Sequence, residues 1–168
     1  MRTQDALLGT LKDARGWLDA WSAGFTDRDA RSSRGAPVNP LAWQLGHVAA
    51  TQDDVIRLFS KDGRGVVPEA LRALCGNGCP APTARTRYPS LATLRRHLAR
   101  THATLARMVA TSSPAGLDRP PRTKNAYFHS LGQAVYEIAL HEMYHVGALG
   151  ALRRVTAAEE VVQEVFLR

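Results

Sequence analysis

The chain has 168 residues, 45% of them hydrophobic and 22% charged, which is the balance of a globular chain with a core of its own. Charges interrupt every long apolar stretch, which excludes a transmembrane helix, and the opening MRTQDALLGTLKDARGW carries acids where a secretion signal is continuously apolar; a cytoplasmic location is the expectation. The net charge of +7 admits an anionic partner, but Arg57, Arg64, Arg72, Arg85, Arg87, Arg95, Arg96, Arg100 and Arg107 are scattered and no aromatic residues interleave with them, so nucleic-acid binding is not expected.

Helical periodicity runs through the chain and strand-like alternation is almost absent. Over residues 4–25, Leu7, Leu11, Ala14, Leu18, Trp21 and Phe25 recur in steps of four and three, the seam of a bundle helix. A polar connection, TDRDARSSRGAPV, follows. Asn39 as cap and Pro40 at the first helical position open a second helix that runs to about Phe59, with Leu41, Leu45, Val48, Val55 and Phe59 apolar. KDGRG ends it.

Residues 66–89 are rich in Gly and Pro and read as a long crossover with one short helix in PEALRAL. This crossover carries both cysteines, Cys75 and Cys79. Their C-x-x-x-C spacing is not the redox C-x-x-C, no second pair completes a zinc site, and Gly-Asn-Gly between them reads as a turn. They are expected to be loop cysteines without a role. Ser90 caps a third helix with Leu91, Leu94, Leu98, Thr101, Leu105 and Met108 as its seam. The fourth helix spans about 130–154, with Leu131, Val135, Ile138, His141, His145, Ala148 and Leu152 in one stripe. Thr156 and Glu159 form a capping box for a short final helix. The fold class is all-α: a four-helix bundle with long crossover connections and a short C-terminal helix, one domain over 1–168.

Chemistry concentrates in residues 141–145, H-E-M-Y-H. A helix puts His141 and His145 on one face, one turn apart. That face is the apolar stripe, so both imidazoles point into the bundle. A buried polar group needs a partner, and a metal satisfies two neutral imidazoles at once. The string also matches H-E-x-x-H, in which a zinc protease uses the Glu as base. That reading needs a third ligand downstream and a sheet edge, and neither is present. Glu142 stands about 100° around the helix from His141. It is a candidate base or supporting group, though a solvated helix position is the simpler reading. The third ligand should come from another helix. His129 falls in a loop, His97 lies beside Arg95 and Arg96, and His102 flanks the third seam. His47 fits best, because Trp43 and Ala50 make its face apolar and Gly46 lets another element approach closely. Asp54, two turns beyond His47, could orient a ligand. Tyr144 is a weaker candidate.

The strings N-P-L-A-W-Q-L-G-H-V-A and H-E-M-Y-H-V-G-A-L-G-A-L-R-R resemble the DinB/YfiT-like superfamily of metalloenzymes, over essentially the whole chain. The resemblance implies a four-helix bundle with a divalent metal, zinc or nickel, held by His47, His141 and His145. It also implies a possible homodimer. Among relatives it points to thiol-cofactor transfers: bacillithiol S-transferases, mycothiol-dependent isomerisation and the N-terminal domain of ergothioneine-forming sulfoxide synthases. Three imidazoles leave a metal position open, the mark of a catalytic rather than a structural site. There a low-molecular-weight thiol or a water would be ionised to attack an electrophile. The expected function is therefore a thiol S-transferase or related hydrolase, and the second reading is a non-catalytic sensor or stress-response module. Arg122 and Lys124, before the fourth helix, could recognise an anionic cofactor. Arg153 and Arg154 fit the helix dipole at its end.

Overall fold

The computed structural model describes residues 2–33 and 35–155. Four long helices form the bundle: α1 (Thr3–Ser22), α2 (Leu41–Phe59), α4 (Leu91–Ala110) and α6 (Leu131–Val155). Two short helices sit in the connections, α3 (Glu69–Cys75) and α5 (Pro114–Leu117), and a 3-10 turn spans Asp29–Arg31. No strand occurs among the described residues. The final helix expected from Thr156 and Glu159 lies outside the described residues.

The expected seams form the core. Leu7, Leu11, Ala14 and Leu18 of α1, Leu91, Leu94, Leu98 and Leu105 of α4, and Leu131, Val135, Ile138 and Leu152 of α6 are all buried. Boundaries moved where turn chemistry decided them. α1 stops at Ser22, because Gly24 turns the chain with φ +77°, while Phe25 stays in the core beyond the helix. Asn39 does not cap α2. Pro40 occupies the cap position, Leu41 is the first helical residue, and the Asn39 carbonyl instead accepts from Gln44 Nε2 at 2.7 Å. Ser90 caps α4 as expected, accepting from Thr93 N–H.

α2 is the central helix. It packs on α4, α3 and α6, while α1 lies against α6 and α4. Burial on almost every side takes in Gln44, His47, Thr51, Gln52 and Asp53 together with the apolar residues. Each of these polar side chains then needs a partner inside the protein. Asp53 finds four. Its Oδ1 accepts the backbone N–H groups of Val66 and Val67, and its Oδ2 accepts Arg57 Nε at 2.8 Å and Arg72 Nη1 at 3.1 Å. One carboxylate thus ties the start of the crossover to α2. Gly65 passes so close that a Cβ there would lie 2.2 Å from Asp53 Oδ2.

Arg153, expected as a cation complementing the helix dipole, does more than that. It is buried, and its guanidinium donates to the Trp21 and Ala23 carbonyls at 2.8 and 2.6 Å. It closes the end of α1 from α6, serving the carbonyls that a helix C-terminus leaves unpaired. Arg154 is exposed.

Candidate metal centre

The close approach expected at Gly46 is made by α3. A Cβ at Gly46 would lie 2.5 Å from Cys75 Sγ. That proximity puts the end of α3 beside His47, and the Cys75 carbonyl lies 2.7 Å from His47 Nδ1. A carbonyl only accepts, so Nδ1 carries the proton and Nε2 keeps its lone pair. His145 is held in the same way. Gln44 Nε2 is committed to the Asn39 carbonyl, so its Oε1 faces His145 Nδ1, at 3.1 Å. Thr51 Oγ1 donates back to the His47 or Val48 carbonyl and lies 3.4 Å from His141 Nδ1, for which its lone pairs are an available acceptor. The Cys75 carbonyl and Gln44 thus fix the tautomers of His47 and His145, and the Thr51 hydroxyl offers His141 an acceptor.

The free nitrogens converge. The ligand atoms of His47, His141 and His145 all lie within 4.8 Å of one another, the one such group among the described residues. His141 Nε2 and His145 Nε2 are 3.2 Å apart. When His141 Nδ1 donates to Thr51, two lone pairs face each other there and a cation between them relieves the repulsion; in the other His141 tautomer its Nε2–H donates to His145. Two nitrogens at about 2.05 Å from one tetrahedral ion lie about 3.3 Å apart, so the spacing fits. Burial first, and neighbouring histidines second, hold His141 down at about 4 and His145 at about 3. Burial also lowers His47, against the opposing effect of the Cys75 carbonyl. All three imidazoles are therefore neutral at neutral pH, the form in which histidine can bind a metal.

Trp43 stacks on the His47 ring, with centroids 4.4 Å apart and planes 11° apart. The site opens on a cavity of about 610 Å³ walled by Val38, Asn39, Trp43, Tyr144 and Ala148. His141 also lines a second cavity of about 940 Å³ between α2, the 125–128 loop and α6. The group is therefore reachable from outside the core.

The family model of the DinB superfamily matches residues 7–149. The chain belongs to the DinB superfamily. The match takes in all three histidines and the four long helices almost entirely. No curated protein matches the chain. For this DinB superfamily member, then, the fold and a three-histidine group able to hold a metal ion stand together.

The other singled-out residues lie elsewhere. Glu142 is not solvated but fully buried, with Oε1 accepting from Gln52 Nε2, whose own Oε1 accepts from Thr101 Oγ1 at 2.5 Å. It lines neither cavity. Burial pushes its carboxyl up to about 7. The amphipathic pattern of α6 misplaces it because α6 is covered on two sides, by α1 and by α2. Asp54 accepts from Arg72 at 2.5 Å and Asn77 at 3.2 Å and orients no histidine by hydrogen bond. Tyr144 is exposed and meets His145 edge-on at 5.3 Å. Arg122 donates to the Lys61 carbonyl, and neither it nor Lys124 lines either of these two cavities. His129 is exposed, and His97 and His102 are half-buried on α4. Gln44 and Thr51 were missed. The available signal was a polar residue three or four positions from His47 on a face otherwise apolar.

Proposed function

We propose that the protein is a metal-dependent enzyme that ionises a thiol for transfer to an electrophile, with His47, His141 and His145 as ligands to zinc or nickel. The observation that carries this reading is the convergence of three imidazoles, two of them with Nδ1 held by acceptors, beside an open cavity. A structural site would be closed by a fourth protein ligand, whereas this one is bordered by 610 Å³ of space. The bound ion would supply Lewis acidity, lowering the pKa of whatever occupies its open position.

What the chain's own residues do follows from their contacts. The Cys75 carbonyl, Gln44 and Thr51 hold the ligands in register. Trp43 and Tyr144 flank the approach. No carboxylate is among the described residues lining the smaller cavity, whereas Asp54 and Glu137 line the larger one on the far side of His141. A thiol, with an ordinary pKa of about 8.5 against about 15.7 for water, needs no carboxylate base. That difference favours thiol transfer over hydrolysis.

The test is elemental analysis of the purified protein beside His47→Ala, His141→Ala and His145→Ala. Stoichiometric metal in the parent and loss in each variant is expected. Full retention in His47→Ala would overturn the three-histidine set. Conjugation assays with several low-molecular-weight thiols, set against ester hydrolysis, then separate the two chemistries. A fully loaded protein inactive in both would favour the non-catalytic sensor.

A further inference from the structure

Cys75 sits against His47 of the candidate metal centre, and Cys79 against the tryptophan stacked on it. The Cys75 carbonyl holds His47 Nδ1, and the Cys75 sulfur lies against Gly46, next to His47 in α2. Cys79 Sγ accepts from Trp43 Nε1 at 3.3 Å, and Trp43 is the ring stacked on His47. A short turn joins the two cysteines, closed by Cys79 N–H to the Gly76 carbonyl at 3.1 Å, with Gly78 at φ +78°. Cys75 is buried, while Cys79 is half-exposed. An oxidant arriving from solvent therefore meets Cys79 first, with Cys75 next along the turn to resolve it.

We propose that Cys75 and Cys79 are a reversible oxidation site, forming a disulfide under hydroperoxide that loosens His47 and weakens metal binding. The second half rests on the metal reading above. In the first step the Cys79 thiolate attacks one peroxide oxygen, giving a sulfenic acid and, with hydrogen peroxide, one water. In the second, the Cys75 sulfur attacks the Cys79 sulfur and the hydroxyl leaves as a second water with the Cys75 thiol proton. Two thiols lose two hydrogens and the peroxide is reduced. Closing the bond draws Cys75 Sγ from its seat against Gly46 and Cys79 Sγ from Trp43 Nε1. Both shifts fall on groups that orient His47, and losing such support typically lowers metal affinity roughly 10- to 100-fold.

The experiment treats the folded full-length protein with hydrogen peroxide, metal-free and zinc-loaded, and removes the excess. Peptide mapping reads the Cys75–Cys79 cross-link, and competition with a chromophoric chelator reads zinc affinity. The expected result is the cross-link in the metal-free protein, zinc affinity lowered by that factor, and recovery with a dithiol. Cys79→Ser and Cys75→Ala should each form no cross-link and bind zinc equally tightly before and after oxidant, which separates the disulfide from methionine oxidation. Absence of the cross-link in the folded protein, or a cross-linked protein with unchanged zinc affinity, would overturn the proposal. A reduced protein that binds no zinc would refute the metal reading and the coupling together, while the mapped cross-link still decides the oxidation site.

Discussion

Replacing Asp53 tests whether one buried carboxylate fastens the crossover to the central helix. In Asp53→Ala the Val66 and Val67 N–H groups both lose their acceptor. A buried donor left unpaired costs about 1–3 kcal/mol, so the half-buried Val66 is assigned about 1 and the buried Val67 about 2. Arg57 and Arg72 keep Glu69 and Asp54 as partners, and their side chains are 31% and 22% exposed, so losing Asp53 costs them only about 1 kcal/mol together. The sum is about 4 kcal/mol, or roughly 8–16 °C in Tm for a domain of this size. Asp53→Asn keeps an oxygen for both N–H groups but turns an amide NH2 toward Arg57 and Arg72 in place of the accepting oxygen, so it should cost about 1–2 kcal/mol. Urea unfolding of the parent and both variants at one pH measures the difference. A gap of about 2 kcal/mol between Ala and Asn supports the backbone-anchor account. Equal destabilisation would assign the effect to the ion pairs, and a loss below about 1 kcal/mol in Asp53→Ala would refute the anchor altogether.

Two further perturbations bear on the site. Gln44→Leu removes the acceptor that fixes the His145 tautomer and should lower metal affinity roughly 10- to 100-fold, read by chelator competition, with Gln44→Glu retaining most of it; unchanged affinity in Gln44→Leu would show that the tautomer is set otherwise. In the metal-free protein, His141 and His145 stay neutral down to about 4 and about 3, while the unfolded chain takes up their protons below about 6.5, so stability should fall as pH drops below that value by up to about 1.4 kcal/mol per unit per histidine. Glu142 acts in the opposite sense, since its carboxyl at about 7 is relieved of charge as pH falls from there toward its ordinary value. Glu142→Gln should therefore steepen the acid decline seen in urea midpoints, and a midpoint flat from about pH 6.5 to 4.5 in that variant would contradict the assignment.

Periodicity alone carried the helices, because a stripe such as Leu91, Leu94, Leu98 and Leu105 can be buried only on a helix. The spacing of His141 and His145 within the stripe of α6 already turned them inward. Gly46 beside His47 marked a close approach, though the element that approaches is α3. Asp53 was illegible, because its partners lie 13 and 14 residues on and the hydropathy of α2 does not reveal that the helix is enclosed on nearly all sides. Arg153 looked like a dipole partner for the same reason: the α1 carbonyls it serves are 130 and 132 residues away.

H-x-x-x-H and a histidine after W-Q-L-G determined by themselves that imidazoles would gather inside a helical bundle. Local geometry sets which residues share a helix face, and a sequence states that directly. Only the tertiary structure decided which nitrogen His47 and His145 present. That choice depends on acceptors supplied across helix boundaries: the Cys75 carbonyl from α3 and Gln44 of α2 on His145 of α6, with Thr51 of α2 available to His141. The same packing placed Glu142 in the core, Cys75 against His47 and Cys79 against Trp43, because burial is a property of neighbouring elements and not of the helix that carries the residue.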